Sequence, residues 1–186
     1  MDKLRINVGC GKYPLKGYVN LDRDPDARAD MFVEVPPIPY RDGTVDEIYA
    51  GHFLEHLDPV EARAFLKECH RALVPGGKLG IVVPDTREVM KRWLGDMNDR
   101  FQVPAGVWWD VRDLDHLCNV FLYNSAWANV DSPHKWAYEP FTLRRAMEEM
   151  GFINLTPIDG YRDSRIVTGA WFNCGWDGYK YEDTAI

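Results

Sequence analysis

The chain has 186 residues, of which 46% are apolar and 27% are charged, and its net charge is −7. This length and balance are typical of one soluble globular domain with a continuous core, spanning 1–186. The negative charge disfavours attraction to nucleic-acid phosphates, so no nucleic-acid partner is expected. No apolar run approaches the ~18 residues that a membrane span needs, and the N-terminal residues lack a signal-peptide apolar stretch, so a cytoplasmic location is expected.

The four cysteines are far apart in the chain and include no C-x-x-C pair. They are Cys10, Cys69, Cys118 and Cys174. This spacing favours reduced thiols over a disulfide framework or a zinc site, and no metal site is expected.

A short apolar segment, Leu4–Val8, runs directly into the turn Gly9-Cys10-Gly11. A buried strand that ends in such a turn brings backbone amides close to a ligand, because glycine has no Cβ to keep the ligand away. The motif is weak by itself, since a Gly-x-Gly turn is often only a tight corner. The segments that follow decide between these two interpretations.

The second predicted strand, Tyr18–Asp22, starts only six residues after the glycine turn. Parallel strands are usually connected by a dozen or more residues that include a helix, so the first crossover helix is predicted to be missing. Dinucleotides place their pyrophosphate on the N-terminus of that helix and need a third glycine, which this sequence also lacks. A nucleoside cofactor without phosphates, such as S-adenosylmethionine, needs neither.

Asp22 ends the second strand, where its two carboxylate oxygens can accept hydrogen bonds from both hydroxyls of a ribose. The alternative is a solvated carboxylate in a polar turn. We favour the ribose role because the glycine turn precedes it.

The rest of the chain alternates between predicted strands and helices, which indicates an α/β fold. The predicted strands are Ala29–Val35, Val45–Ala50, Leu79–Val83, Ile153–Ile158 and Arg165–Phe172, and the predicted helices are 59–74, 87–94 and 140–150. The first of these helices begins with a capping box at Asp58 and ends at Pro75-Gly76-Gly77. The tail from Asn173 to Ile186 has no clear pattern.

Regular patterning fades after the fifth strand, and residues 95–135 are predicted to form a helical and aromatic insertion that covers the ligand end of the sheet. Its tryptophans could stack on a sugar or form a small core under this lid.

Five stretches resemble the class I S-adenosylmethionine-dependent methyltransferases, in the broad methyltransferase type 11 group. They are VGCGK (8–12), NLD (20–22), PIPYRDGTVDEIYAGHFLEHL (37–57), ECHRALVPGGKLGIVVPD (68–85) and SPHKWAYEPFTLRRAMEEMGF (132–152). The last is similar to a segment of small members associated with surface-polysaccharide or sugar modification. The resemblance implies a Rossmann-like, mostly parallel seven-stranded sheet whose last strand is antiparallel.

By position, the resemblance also implies which residues bind S-adenosyl-L-methionine. The turn Gly9-Cys10-Gly11 would approach the methionine portion, and Asp22 would bind the ribose. Glu34 lies where the family usually has an aspartate near the adenine amino group. Gly51 and His52, after the fourth strand, would border the methionine tail and the methyl-transfer site.

Methyl transfer from a sulfonium requires positioning and exclusion of water, and a hydroxyl acceptor also needs a base, usually histidine. His52 lies at the ligand end of its strand, and His134 lies in the last resembling stretch, so these two are the candidate catalytic residues. His134 could instead have a capping or core role. His56 is expected to be structural and His70 to be exposed.

These observations predict a small S-adenosylmethionine-dependent methyltransferase that acts on an oxygen or nitrogen of a small molecule or glycan precursor. One alternative is a catalytically idle protein that binds the cofactor as an accessory or sensor. Another is a nicotinamide-dependent oxidoreductase, which the missing helix and third glycine disfavour. The oligomeric state does not follow from the sequence.

Overall fold

The computed structural model describes residues 3–88, 90, 100–102, 108–110, 133–158 and 173–181. Its strands are β1 (Arg5–Val8), β2 (Val19–Asp22), β3 (Met31–Phe32), β4 (Val45–Gly51), β5 (Leu73–Pro84), β6 (Arg100–Gln102), β7 (Trp108–Asp110), β8 (Phe152–Pro157) and β9 (Asn173–Lys180). Its helices are a short 3₁₀ turn (Leu54–His56), α1 (Pro59–Ala72) and α2 (Pro140–Glu149). Residues 86–88 and 90 are also helical.

Seven strands form one sheet in the order β3-β2-β1-β4-β5-β9-β8. The first five pair in parallel, whereas β9 runs antiparallel to both of its neighbours, β5 and β8. This arrangement confirms the predicted Rossmann-like α/β fold, with a mostly parallel seven-stranded sheet and an antiparallel last strand. Strands β6 and β7 pair with each other, apart from this sheet.

The connection between β1 and β2 consists of turns and contains no helix, as the short spacing predicts. The buried side chain of Asn20 satisfies the polar groups of this connection. Its Oδ1 accepts from Leu15 N at 2.7 Å, and its Nδ2 donates to the carbonyls of Leu15 and Tyr18. Asn7 of β1 also donates to Asn20 Oδ1, so the connection is fixed to two strands at once.

Helix α1 begins at the predicted capping box, where Asp58 Oδ1 accepts from Val60 N and Glu61 N and Glu61 accepts from Asp58 N. One face of the helix packs in the core through Ala62, Phe65, Leu66, Cys69 and Ala72. The predicted end at Pro75-Gly76-Gly77 is corrected, because the helix ends at Ala72 and β5 begins at the next residue. Strand β5 includes the Pro-Gly-Gly segment, with a register shift where it starts to pair with β4.

The last strand of the sheet is formed by residues 173–180, to which the sequence assigned no element. Two glycines in β9 interrupt the alternation of apolar and polar residues that would predict a strand. A Cβ at Gly175 would lie 2.6 Å from the carbonyl oxygen of Ile81, so β9 approaches β5 too closely for a side chain there. The strand predicted at Arg165–Phe172 lies outside the described residues.

Most of the predicted insertion at 95–135 also lies outside the described residues, so the lid and the single-domain organisation of 1–186 stay predictions. Among the described residues, no helix is both long enough and apolar enough to cross a membrane.

Candidate functional site

The carboxyl ends of β1, β2, β4 and β5 meet at one edge of the sheet because these strands are parallel. In open α/β sheets, ligands bind at this edge. The glycine turn, Asp22, the Gly51-His52 pair and Asp85 all follow directly from these strand ends. The fold therefore gathers the predicted site residues at the edge where a ligand is expected.

The glycine turn is attached to the end of β2. The amides of Gly9 and Cys10 both donate to the carbonyl of Leu21, at 2.9 and 3.1 Å. Gly9 and Gly11 have φ of +67° and +52°, in the left-handed region that glycine adopts without strain. Cys10 is fully buried, so its predicted contact with the cofactor stays a prediction.

Asp22 orders the same turn through its carboxylate. Its Oδ2 accepts from Gly11 N at 2.7 Å, and its Oδ1 accepts from Asp24 N at 2.9 Å. A carboxylate offers about four acceptor positions, so each oxygen retains one for a ribose hydroxyl. The residue predicted to bind the ribose also fixes the loop predicted to bind the methionine portion.

Glu34 lies at the outer side of this edge, beyond the short strand β3. Its carboxylate pairs with Arg23 Nη1 at 3.0 Å, and 68% of its side chain is exposed. A hydrogen bond to an adenine amino group would therefore have to be made beside an arginine. The adenine role of Glu34 stays a prediction.

Gly51 and His52 form the end of β4. A Cβ at Gly51 would lie 2.7 Å from the hydroxyl of Tyr49, which explains the glycine there. His52 has a φ of +53°, a conformation that non-glycine residues adopt rarely and that is enriched at functional sites. Its amide donates to Val82 O, so this strained backbone is attached to β5.

Glu55 is buried among the candidate site residues, and it was not predicted from the sequence. It is only 1% exposed, and its Oε1 lies 2.9 Å from Nδ1 of His52. Burial alone would raise the pKa of Glu55, but the charge and hydrogen bond of His52, assisted by His56 and His134, lower it to about 2. A carboxylate only accepts, so Nδ1 of His52 carries the proton and, in the neutral ring, Nε2 is the basic atom.

His134 is brought to the same place by the segment 133–136. The amides of Lys135 and Trp136 donate to the carbonyl of Glu55, and the rings of His56 and His134 are in edge contact at 4.8 Å. The structure therefore gathers three histidines around one buried carboxylate. His70 lies elsewhere and is half-buried, because its ring packs against Phe152 rather than facing solvent as expected.

Two further residues lie near this group. Tyr138 is buried, and its burial together with the charge of Glu55 raises its pKa to about 12, so it stays protonated. Asp85 accepts from Glu88 N at 3.0 Å and so caps the helical residues 86–88, and burial raises its pKa. The signal that could have found Glu55 is the spacing His-x-x-Glu-His over residues 52–56, directly after a strand.

Comparison with known proteins gives a match to one family model. The model, described as a methyltransferase domain, matches residues 22–81. No curated protein matches the sequence significantly.

Many solved structures have a similar fold. An S-adenosylmethionine-dependent methyltransferase from Archaeoglobus fulgidus is 15% identical with a TM-score of 0.58, over 96% of this chain and 86% of that one. One from Thermotoga maritima, described as a possible histamine N-methyltransferase, is 12% identical with a TM-score of 0.57, over 97% and 83%. Phosphoethanolamine N-methyltransferase 2 from Haemonchus contortus, in complex with phosphomonomethylethanolamine and S-adenosylhomocysteine, is 9% identical with a TM-score of 0.55, over 98% and 49%.

The match of residues 22–81 to a methyltransferase domain and the shared fold support the prediction of a class I S-adenosylmethionine-dependent methyltransferase of the type 11 group. A methyltransferase domain of this kind uses S-adenosyl-L-methionine as its cofactor. The residues of the edge fit this cofactor, because a Cβ at Gly11 would meet nothing within 4 Å, which leaves room for a ligand, and Asp22 retains two acceptor positions.

Proposed function

We propose that this protein transfers a methyl group from S-adenosyl-L-methionine to an oxygen or nitrogen atom of a small-molecule or glycan-precursor acceptor. The observation that carries the proposal is the pair of the partly exposed His52 and the buried Glu55, on a segment whose Phe53 packs against Gly9 of the glycine turn. A buried carboxylate that accepts from one ring nitrogen of a histidine favours the tautomer in which the other nitrogen is the basic atom.

The residues that we propose to bind the cofactor lie at the same edge of the sheet. The backbone of Gly9, Cys10 and Gly11 would contact the methionine portion, with Gly51 at its other side. Asp22 would bind the ribose hydroxyls, and Glu34 the adenine amino group. When bound, the cofactor supplies a methyl group already activated by the sulfonium charge, so these residues mainly orient it and exclude water.

His52 is proposed as the general base, and His134 as a second residue on the acceptor side, acting as a base or as a ligand. The acceptor proton passes to Nε2 of His52, and the acceptor atom forms a bond to the methyl carbon. The bound cofactor would supply the methyl group, and the electron pair of its carbon–sulfur bond would remain on sulfur. Glu55 stabilises the imidazolium that results, because its charge lies 2.9 Å from Nδ1.

Two observations bear on the acceptor. The segment 132–152 resembles that of small methyltransferases associated with sugar modification, which supports a glycan precursor. The net charge of −7 disfavours nucleic acid. A sugar nucleotide panel is therefore the first set of acceptors to test.

Calorimetric titration with S-adenosylmethionine, S-adenosylhomocysteine and NAD tests the cofactor assignment. We expect binding of the two adenosyl ligands and none of NAD. Asp22→Ala should weaken binding by at least about tenfold, because the ribose partner and the anchor of Gly11 are both lost. Asp24→Ala is the matched control, since it removes a nearby carboxylate that accepts only from Asp26 N among the contacts described.

Release of S-adenosylhomocysteine in the presence of each acceptor tests the base. With the acceptor that is methylated, His52→Asn should lower kcat by about 10²-fold or more while S-adenosylhomocysteine still binds. His70→Asn controls for loss of a histidine on another surface. Full activity of the His52 variant would overturn the assignment of the base but not of the cofactor.

A further inference from the structure

Three side chains of metal-ligating type converge next to the pair of His52 and Glu55. One carboxylate oxygen of Glu55 and one ring nitrogen each of His56 and His134 all lie within 4.8 Å of one another. They come from two separate parts of the chain, the 3₁₀ turn after β4 and the segment before α2. The backbone bonds from Lys135 and Trp136 to Glu55 O fix these two parts together.

The carboxylate in this group has an oxygen without a partner. Glu55 is 1% exposed, and its Oε2 is buried with no hydrogen-bond partner among the described residues, while Oε1 is bonded to His52. A buried oxygen of an ionised carboxylate is costly to leave unpaired. A cation bound by Oε2 and the two imidazoles would remove this cost.

The hydrogen bonds around the group are those that metal ligands usually have. Nδ1 of His56 lies 3.3 Å from the carbonyl of Pro133, which can only accept, so this nitrogen carries the proton and Nε2 has the lone pair. A ligating histidine typically donates its other nitrogen to a carbonyl or carboxylate in this way. His52 fixes the orientation of the Glu55 carboxylate from the opposite side.

We propose that Glu55, His56 and His134 bind a divalent first-row transition metal ion such as Zn²⁺. Two imidazoles and one carboxylate are a ligand set that leaves one or more coordination positions open, as in catalytic rather than structural zinc sites. Ligand atoms around a tetrahedral zinc ion are about 3.3 Å apart, so the group closes by at most about 1.5 Å when the ion binds.

The role of the ion rests on the proposed function, although its binding does not. An open position next to His52 would take the acceptor oxygen or nitrogen and lower the pKa of its proton, which then passes to His52. The ion would therefore select acceptors with a hydroxyl, carboxylate or amine able to coordinate it. It would not change affinity for S-adenosylhomocysteine.

Equilibrium dialysis of the full chain against Zn²⁺, followed by measurement of bound metal, tests the site. Titration with Co²⁺ reports its geometry through visible absorption. We expect one ion per chain in the wild type. His56→Asn and His134→Asn should each weaken binding by at least about tenfold, and His52→Asn by about tenfold through the orientation of Glu55. His70→Asn is the matched control, because it removes a half-buried histidine of α1 outside the group.

Circular dichroism and S-adenosylhomocysteine titration of each variant show that it is folded. Wild-type protein that binds no Zn²⁺ or Co²⁺, or His56 and His134 variants that bind them as tightly as the wild type, would overturn the metal site. Methyl transfer that persists without metal would overturn only the role in acceptor binding. Loss of cofactor binding in the wild type would instead refute the proposed function.

Discussion

At the scale of single residues, Gly9 and Gly11 have the same left-handed backbone but different surroundings. A Cβ at Gly9 would lie 2.5 Å from Cδ2 of Phe53, whereas a Cβ at Gly11 would meet nothing within 4 Å. Phe53 in turn is in edge contact with the buried ring of Phe65 at 5.0 Å, so it has little room to move. Gly9 is therefore required both for the packing of Phe53 and for its own backbone conformation. Gly11 is required for its conformation and leaves open space for a ligand.

Alanine substitutions separate these two requirements. Gly9→Ala should lower the free energy of unfolding by about 3 kcal/mol, the sum of left-handed strain and overpacking. Gly11→Ala should lower it by about 1 kcal/mol, from strain alone. Urea denaturation measures both, and equal losses in the two variants would show that Phe53 moves aside without cost.

The residue scale also shows what the sequence could predict of the site. The glycine turn and Asp22 were predicted as site residues because their chemistry is visible in local order, a strand followed by a glycine turn and then a carboxylate at the next strand end. Glu55 was missed because a glutamate is normally exposed, and the spacing His-x-x-Glu-His does not reveal that the carbonyl of Glu55 accepts from Lys135 N and Trp136 N. These two donors are about eighty positions away in the chain, whereas His52, which binds the carboxylate, is close in sequence.

At the scale of elements, the β1–β2 connection depends on Asn20 in place of a helix. Asn20→Ala should lower the free energy of unfolding by about 3 kcal/mol, because it leaves Leu15 N and Asn7 Nδ2 buried without partners. Lys16→Ala in the same connection should change it by less than about 0.5 kcal/mol, since Lys16 is exposed. Thermal and urea unfolding of the two variants measure the difference, and similar stability in both would contradict this role.

Helix α1 is connected to the segment before β4 through Glu68. Its carboxylate accepts from Arg71 Nε and Nη2 and from Ile38 N, and the hydrogen bonds with Arg71 are the main reason that its pKa is lowered. A lowered folded-state pKa means that the stabilisation is present above the unfolded-state value and is lost as the pH falls through the folded-state value.

The stability advantage of the wild type over Glu68→Gln should therefore be largest near pH 7 and should decrease as the pH falls below about 4.5. Urea denaturation of both proteins over a pH series measures this difference. An advantage that is the same at every pH would show that the charge of Glu68 contributes nothing beyond its hydrogen bonds.

Elements with strong end signals were predicted well, and those without them were not. The capping box placed the start of α1 at the correct residue, because caps are local chemistry. The start of β5 and the whole of β9 were missed. In β9, Gly175 is required by the carbonyl oxygen of Ile81 in β5, and Gly178 by side chains of β8 and α2. Such contacts are visible only once the sheet is assembled.

At the scale of the whole molecule, the two ends of the parallel strands differ. The amino ends make structural contacts, whereas the carboxyl ends hold the candidate site residues. The amino ends of the strands and the end of α1 make backbone contacts such as Thr44 N to Ala72 O and Asp46 N to Leu4 O. The carboxyl ends carry the glycine turn, Asp22 and His52. The mostly parallel sheet that creates this division was implied by the family resemblance, whereas the order of its strands was not predicted, since periodicity alone does not give it.

Hydrogen exchange of the backbone amides tests this division directly. S-adenosylhomocysteine should slow exchange in peptides that contain Gly11, Asp24 and His52, because the first two amides donate to Asp22 and a ribose bound there would fix them. Peptides with Thr44 and Asp46 should exchange at the same rate with and without the ligand. In Asp22→Ala, which lacks the carboxylate that links the ribose to Gly11, the ligand should produce a smaller change at the first set. If the ligand slowed both edges equally, its effect would be global stabilisation, and the cofactor site would have to be sought elsewhere in the fold.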